Sequence, residues 1–163
     1  MVALQSIKEK MDKIKEHFLE TPTFNKEPSI LIVVAPYYKK ISDKLVFGAK
    51  QVLEQVNANV ETVLVPGALE IPTAISLASK NYDGFIAIGC VIRGETTHYD
   101  TVAHESSHAL SMLGLRGLCI GNGILTVENE KQAILRADPS KQNKGGGAAL
   151  AVLHLLKIKI KFE

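Results

Sequence analysis

Tryptophan is absent from the chain, and cysteine occurs only twice, at Cys90 and Cys119. Two cysteines cannot build the bridge-dense framework of a small secreted domain. Both lie in apolar, strand-like runs, which reads as buried free thiols in a reducing compartment. An excess of one charge is also missing, since 19 Lys and Arg against 17 Asp and Glu leave a net +2. That is too little to mark nucleic acid or a membrane surface as a partner, and neither is expected. No apolar run approaches the roughly 20 residues of a membrane span. Lys8, Lys10, Lys13 and Lys15 interrupt the N-terminus where a secretory signal would be apolar, so a cytoplasmic location is expected. No Gly-x-Gly-x-x-Gly opens a helix and no Walker lysine motif occurs, which leaves the chain without a nucleotide fingerprint.

What is present is a regular alternation. The 163 residues are 46% apolar and 22% charged, enough for one domain with a real core. Leu4, Ile7, Met11, Ile14 and Phe18 recur at helical steps among lysines and acids, predicting an amphipathic helix over 4–18. Pro22 and Pro28 then bracket an extended arm, so residues 1–28 read as a helix and arm ahead of a domain spanning 29–163. Residues 30–35, Ile-Leu-Ile-Val-Val-Ala, read as a strand buried on both faces of a parallel sheet. Helix over 41–56, strand over 60–65, a short helix over 71–78 with Pro72 in its first turn, and strand over 85–91 follow. A third helix is expected over 99–113, a fourth strand from 118 through 126, and a helix over 128–137. A loop is expected over 138–147, a last helix over 148–157, and a frayed tail over 158–163. Strand and helix alternating four times argue an α/β three-layer sandwich. Its centre would be a four-stranded parallel, flavodoxin-like sheet with helices on both faces.

In such sheets ligands bind beyond the carboxyl ends of the strands, where strand order reverses. The segments predicted there are 36–38, 66–70, 92–98 and 122–126. They offer an aromatic face, a carboxylate, an imidazole, glycine-loosened backbone and a helix N-terminus suited to an anion. Thr97-His98-Tyr99-Asp100 has capping-box spacing with Asp in place of Glu, which puts His98 in the first turn. Plain readings exist for each residue taken singly. His98 and Glu70 suit a helix start, Tyr37 suits a core, and Arg136 suits a solvated helix face.

At these loops the sequence resembles the lumazine synthase family over about residues 29–157. The resemblance rests on 65–72 (Val-Pro-Gly-Ala-Leu-Glu-Ile-Pro), 89–100 (Gly-Cys-Val-Ile-Arg-Gly-Glu-Thr-Thr-His-Tyr-Asp) and 123–126 (Gly-Ile-Leu-Thr). Gln132-Ala133, Arg136-Ala137 and Asn143-Lys144-Gly145 add to it. It implies condensation of 5-amino-6-(D-ribitylamino)uracil with 3,4-dihydroxy-2-butanone 4-phosphate to 6,7-dimethyl-8-ribityllumazine, phosphate and water, with no metal and no organic cofactor. By the same resemblance Tyr37 stacks on the pyrimidine, and Ala68, Leu69 and Glu70 hold the ribityl chain. Cys90, Val91 and Ile92 meet the ring through backbone groups. Glu95 and Thr96 bind phosphate through backbone N–H, His98 transfers protons, and Asn122 and Arg136 come from the adjacent subunit. Self-association in pentamers, or in a shell of sixty subunits, is implied. The chain departs from the family pattern in Asn122, where an aromatic is common. It departs again in Asp138-Pro139-Ser140-Lys141-Gln142, where capsid-forming members carry glycine, and in its long N-terminal helix.

Two other readings come from different classes. His104-Glu105-Ser106-Ser107-His108 matches the zinc-protease pattern His-Glu-x-x-His, with Glu128 as a third ligand. Helical spacing speaks against it, because Tyr99, Val102, Ala103, Ala109, Leu110 and Leu113 form the predicted buried stripe and the two histidines fall opposite. The second is a non-catalytic flavodoxin-like binding or shell-forming module.

Overall fold

The first strand, β1 (Ser29–Val34), is central to the computed structural model, which describes residues 20–163. The predicted helix over 4–18 lies outside the described residues. β1 pairs in parallel with β2 (Asn59–Leu64) on one side and β3 (Gly84–Ile92) on the other. β4 (Cys119–Val127) adds to β3, also in parallel, so the order is β2-β1-β3-β4.

Alternation along β1 sends its side chains into two cores. Ile30, Ile32 and Val34 join Ile86 and Ile88 on the face covered by α1 (Lys39–Glu54), α4 (Glu130–Ala137) and α5 (Lys144–Phe162). Leu31, Val33 and Ala35 join Phe85 and Ala87 under α2 (Ile71–Leu77) and α3 (His98–Leu115). This is the three-layer, flavodoxin-like sandwich that the sequence predicts. The continuous apolar run at β1 has its cause here, since a strand with a core on each side has no solvent face to make polar. The edge strand β2 shows the converse, with exposed Glu61, Thr62 and Leu64.

The clearest difference from expectation is α5. The predicted loop over 138–147 ends early, because Gly145, Gly146 and Gly147 already belong to the helix. Glycine serves close packing there rather than a turn. A Cβ on Gly145 would stand 2.0 Å from the Leu45 carbonyl oxygen of α1. Where the same helix meets the sheet, a Cβ on Gly121 of β4 would stand 2.0 Å from the Ala148 oxygen. Asn143, with φ 43°, starts the helix, and its side chain accepts the Gly146 N–H at 3.1 Å. The predicted frayed tail is helical as well, to Phe162. Its alternating lysines and apolar residues hid a helical end whose Ile158, Ile160 and Phe162 are all exposed. α4 begins two residues later than predicted, where the Asn129 side chain accepts the Gln132 N–H at 3.0 Å.

Residue 138 ends α4 and fastens it to α1. Lys44 Nζ donates to Asp138 Oδ2 at 2.6 Å, while Oδ1 accepts from the Ser140 hydroxyl at 2.6 Å and the Ser140 N–H at 3.0 Å. The Lys44 bond, followed by the two Ser140 donors, holds the Asp138 carboxyl well below the usual carboxylate range. A depressed folded-state pKa contributes stability above the unfolded value and loses it as pH falls through the folded one. Asp138→Asn should therefore lower the melting temperature at pH 7, and the gap from wild type should narrow steadily below about pH 4. Thermal melts across that range check it, and a gap independent of pH would refute the ionic contribution.

Candidate active site

The chain leaves β1 onto one face of the sheet and leaves β3 onto the other. Their adjacent carboxyl ends are thus the switch point at which a doubly wound sheet opens a crevice. A cavity of about 510 Å³ occupies it. Three chain segments wall the cavity. After β1, Tyr37 stands out at 79% exposure with its ring edge-on to Tyr38, 5.0 Å between centroids. After β2, Pro66 and Gly67 lead into one 3₁₀ turn, Ala68–Glu70, closed by the Glu70 N–H on the Gly67 carbonyl at 3.2 Å. The third wall is the end of β3, with Cys90, Val91 and Ile92, continuing to Gly94, Thr96, His98 and Tyr99.

Of the residues predicted for the site, Tyr37, Ala68, Leu69, Glu70, Cys90, Val91, Ile92, Thr96 and His98 all line this one cavity. Three do not. Glu95 is exposed beside it. Asn122 projects from the far edge strand into a second groove of about 470 Å³ between β4 and α3, shared with Asp100 and His104. Arg136 is half-buried in the last turn of α4, on the opposite face of the sheet from α3, and lines neither cavity.

Burial pushes the Cys90 thiol up to about 11, so at neutral pH it is a neutral, poorly nucleophilic group. That suits a residue contributing backbone and bulk. The Tyr38 phenol is also raised, by burial first and by its neighbours Tyr37, Cys90 and Glu130 after that, and stays protonated. The loop between β3 and α3 carries the polar chemistry. Among the described residues no acceptor meets the backbone N–H of Glu95, Thr96 or Thr97, and the His98 ring has no hydrogen-bond partner. Free amides at the start of an 18-residue helix are a ready anion site.

The predicted capping box is not formed. Thr97 holds the N-cap position with helical angles and no side-chain bond, and the His98 N–H reaches Thr96 Oγ1 at 3.4 Å instead. Asp100 is engaged elsewhere. Arg93, which the sequence reading left without a role, donates through Nη1 to both Asp100 oxygens at 3.2 and 3.3 Å, and through Nε to Glu128 at 2.9 Å. Its guanidinium lies 4.0 Å from the Tyr99 ring centroid. The opposite charges of Arg93 and Asp100 at the two ends of the loop were the available signal.

Glu128 is thereby taken from the zinc reading. His104 and His108 are exposed, their rings stacked 6.0 Å apart, and His104 Nδ1 meets Glu105 at 3.1 Å. Among the described residues no three metal-ligating side chains gather.

A switch-point cleft with an aromatic wall, a carboxylate, an imidazole and an unpaired amide loop defines a small-molecule enzyme of the flavodoxin-like α/β class. Comparison with known proteins narrows this. Residues 27–159 match the family model described as 6,7-dimethyl-8-ribityllumazine synthase. Proteins bearing that name are 54% identical in Jannaschia sp. (strain CCS1), over 86% of this chain and 80% of the relative, and 53% identical in Zymomonas mobilis, over 82% and 97%. A further relative, from Novosphingobium aromaticivorans, is 55% identical over 82% and 97%. The chain belongs to the 6,7-dimethyl-8-ribityllumazine synthase family.

EDTA treatment followed by metal analysis should leave activity intact and find no stoichiometric zinc. Zinc lost in step with activity would return His104 and His108 to the chemistry.

Proposed function

We propose that the cleft condenses 5-amino-6-(D-ribitylamino)uracil with 3,4-dihydroxy-2-butanone 4-phosphate, the lumazine-forming step of riboflavin biosynthesis. The observation that carries the reading is the convergence on one cavity of nine residues, from Tyr37 to His98, drawn from three chain segments far apart in the sequence. The Tyr37 ring is free to stack on a flat heterocycle. The turn Ala68–Glu70 presents backbone and one carboxylate to a hydroxylated chain. The 95–97 amides face a departing phosphate.

The roles follow from the chemistry. An amine attacks the ketone and water is lost to give a Schiff base, phosphate leaves to give an enol that becomes a second ketone, and the second amine closes the ring onto that carbonyl with loss of a second water. Each step moves a proton, a task suited to an imidazole, which can both accept and donate one, and His98 supplies it. Fixed N–H donors stabilise the leaving phosphate, and a guanidinium would add charge to it. No cofactor is called for, and the enzyme works in the cytoplasm. His98→Ala should lower turnover about 100-fold while substrate KM changes little, followed optically as lumazine forms. Unchanged turnover would remove His98 from the mechanism. Failure of the wild type to make lumazine from the two substrates would remove the reading itself.

Each site is shared between subunits in a pentameric ring, alone or within a shell of sixty. The placement of Asn122 and Arg136 outside the cleft of their own chain supports this. So do exposed Leu77 on α2 and Leu115 on α3, at 82% and 84%, which a lone chain leaves in water. A head-to-tail ring repeats one such juxtaposition at every contact. Coassembly of His98→Ala with Arg136→Ala subunits should therefore yield activity well above the mean of the two parents. No gain in verified mixed rings would place each site within one chain.

A further inference from the structure

Residues 93–98 form an exposed strip between two rigid elements, and one side chain ties its ends together. The Arg93 N–H donates to the Val127 carbonyl at 2.9 Å, carrying the β3–β4 ladder one residue past β3. Its guanidinium then reaches forward to Asp100 and Tyr99 in the first turn of α3 and sideways to Glu128, the residue after β4. A single planar group thus fixes the spacing between a strand end, a helix start and a neighbouring strand end. Residues 94–97, with their unpaired amides, and His98 hang between those fixed points. Arg93 does not itself line the cleft, whereas Tyr99 beneath it does.

Magnitudes separate positioning from stability. The paired side chains are 39%, 60% and 56% exposed, and ion pairs that open to water add little to folding. The geometry is another matter. Catalytic and binding groups depend on placement within fractions of an ångström, so a weak tie can matter greatly if it sets the angle of a loop. The tie also needs arginine. A lysine ammonium can pair with one of the carboxylates, but it has neither the fork that engages two of them nor the flat face that rests on Tyr99.

We infer that Arg93 is a positioning residue, holding the 94–97 amides and His98 in register with the strand ends through its fork to Asp100 and Glu128. The inference rests on the reading of that loop as the phosphate site. The test measures steady-state kinetics with each substrate varied in turn on assembled enzyme. Arg93→Ala should raise KM for the butanone phosphate about 10-fold or more and leave KM for the pyrimidine within about 2-fold. Its melting temperature should stay within about 3 °C of wild type. Arg93→Lys should fail to restore KM, because charge without the fork does not set the loop. Asp100→Asn and Glu128→Gln, which leave Arg93 in place, should each move the same KM in the same direction, and they serve if Arg93→Ala does not fold. Wild-type kinetics in Arg93→Lys would overturn the inference, as would equal KM changes for both substrates. Inorganic phosphate is the control on wild type. Competition against the butanone phosphate upholds the phosphate site independently of Arg93, and its absence overturns both readings.

Discussion

The whole arrangement depends on β1 being buried from both sides. Five of its residues and the following Ala35 supply alternate side chains to two separate cores, and both neighbouring strands take their register from its backbone. A slip of one residue would exchange the two sets and unmake both cores at once. The position of β1 between β2 and β3 also places the switch point. The crevice exists because the chain departs to opposite faces from adjacent strand ends, and every group of the cleft is held at or just past such an end.

The two faces of the sheet are packed differently. On the α5 side backbone approaches backbone, with Gly121 against Ala148 and Gly145 against Leu45, so that layer is dense and intolerant of added atoms. On the cleft side the walls are short turns and one exposed loop, whose order comes from polar contacts at its margins. Rigid strand ends thus set where the reacting groups lie, and a guanidinium at the surface sets how the loop between them is aimed.

Much of this was legible beforehand. The period-two and period-3.6 patterns located four strands and the helices between them to within a few residues, except at the C-terminal end, where three glycines and an alternating tail concealed one long helix. Tyr37, the 68–70 turn and His98 were legible because each follows a strand and its stop: Pro36 before Tyr37, Pro66-Gly67 before Ala68, the polar loop before His98. Cys90, Val91 and Ile92 lie within β3 and came from the family motif alone. Arg93 was legible only in part: its charge opposite Asp100 stood in the sequence, but Glu128 is 35 residues away and is brought near only by β3–β4 pairing. Asp100 misled for a local reason, since its spacing from Thr97 fits a cap while its partner is Arg93 at the other end of the loop.

By itself, then, the sequence determined what local physics controls: which segments are strands or helices, which faces are apolar, where each element stops, and which family the motif order resembles. Tertiary structure alone decided which stops meet. It brought Tyr37, the 68–70 turn and the 90–98 segment to one cavity, sent Asn122 to a groove of its own and Arg136 to the far face, and set a 3₁₀ turn of three residues into the cleft wall. The reason is that periodicity and capping act over a few residues, whereas strand order and crossover decide neighbours tens of residues apart.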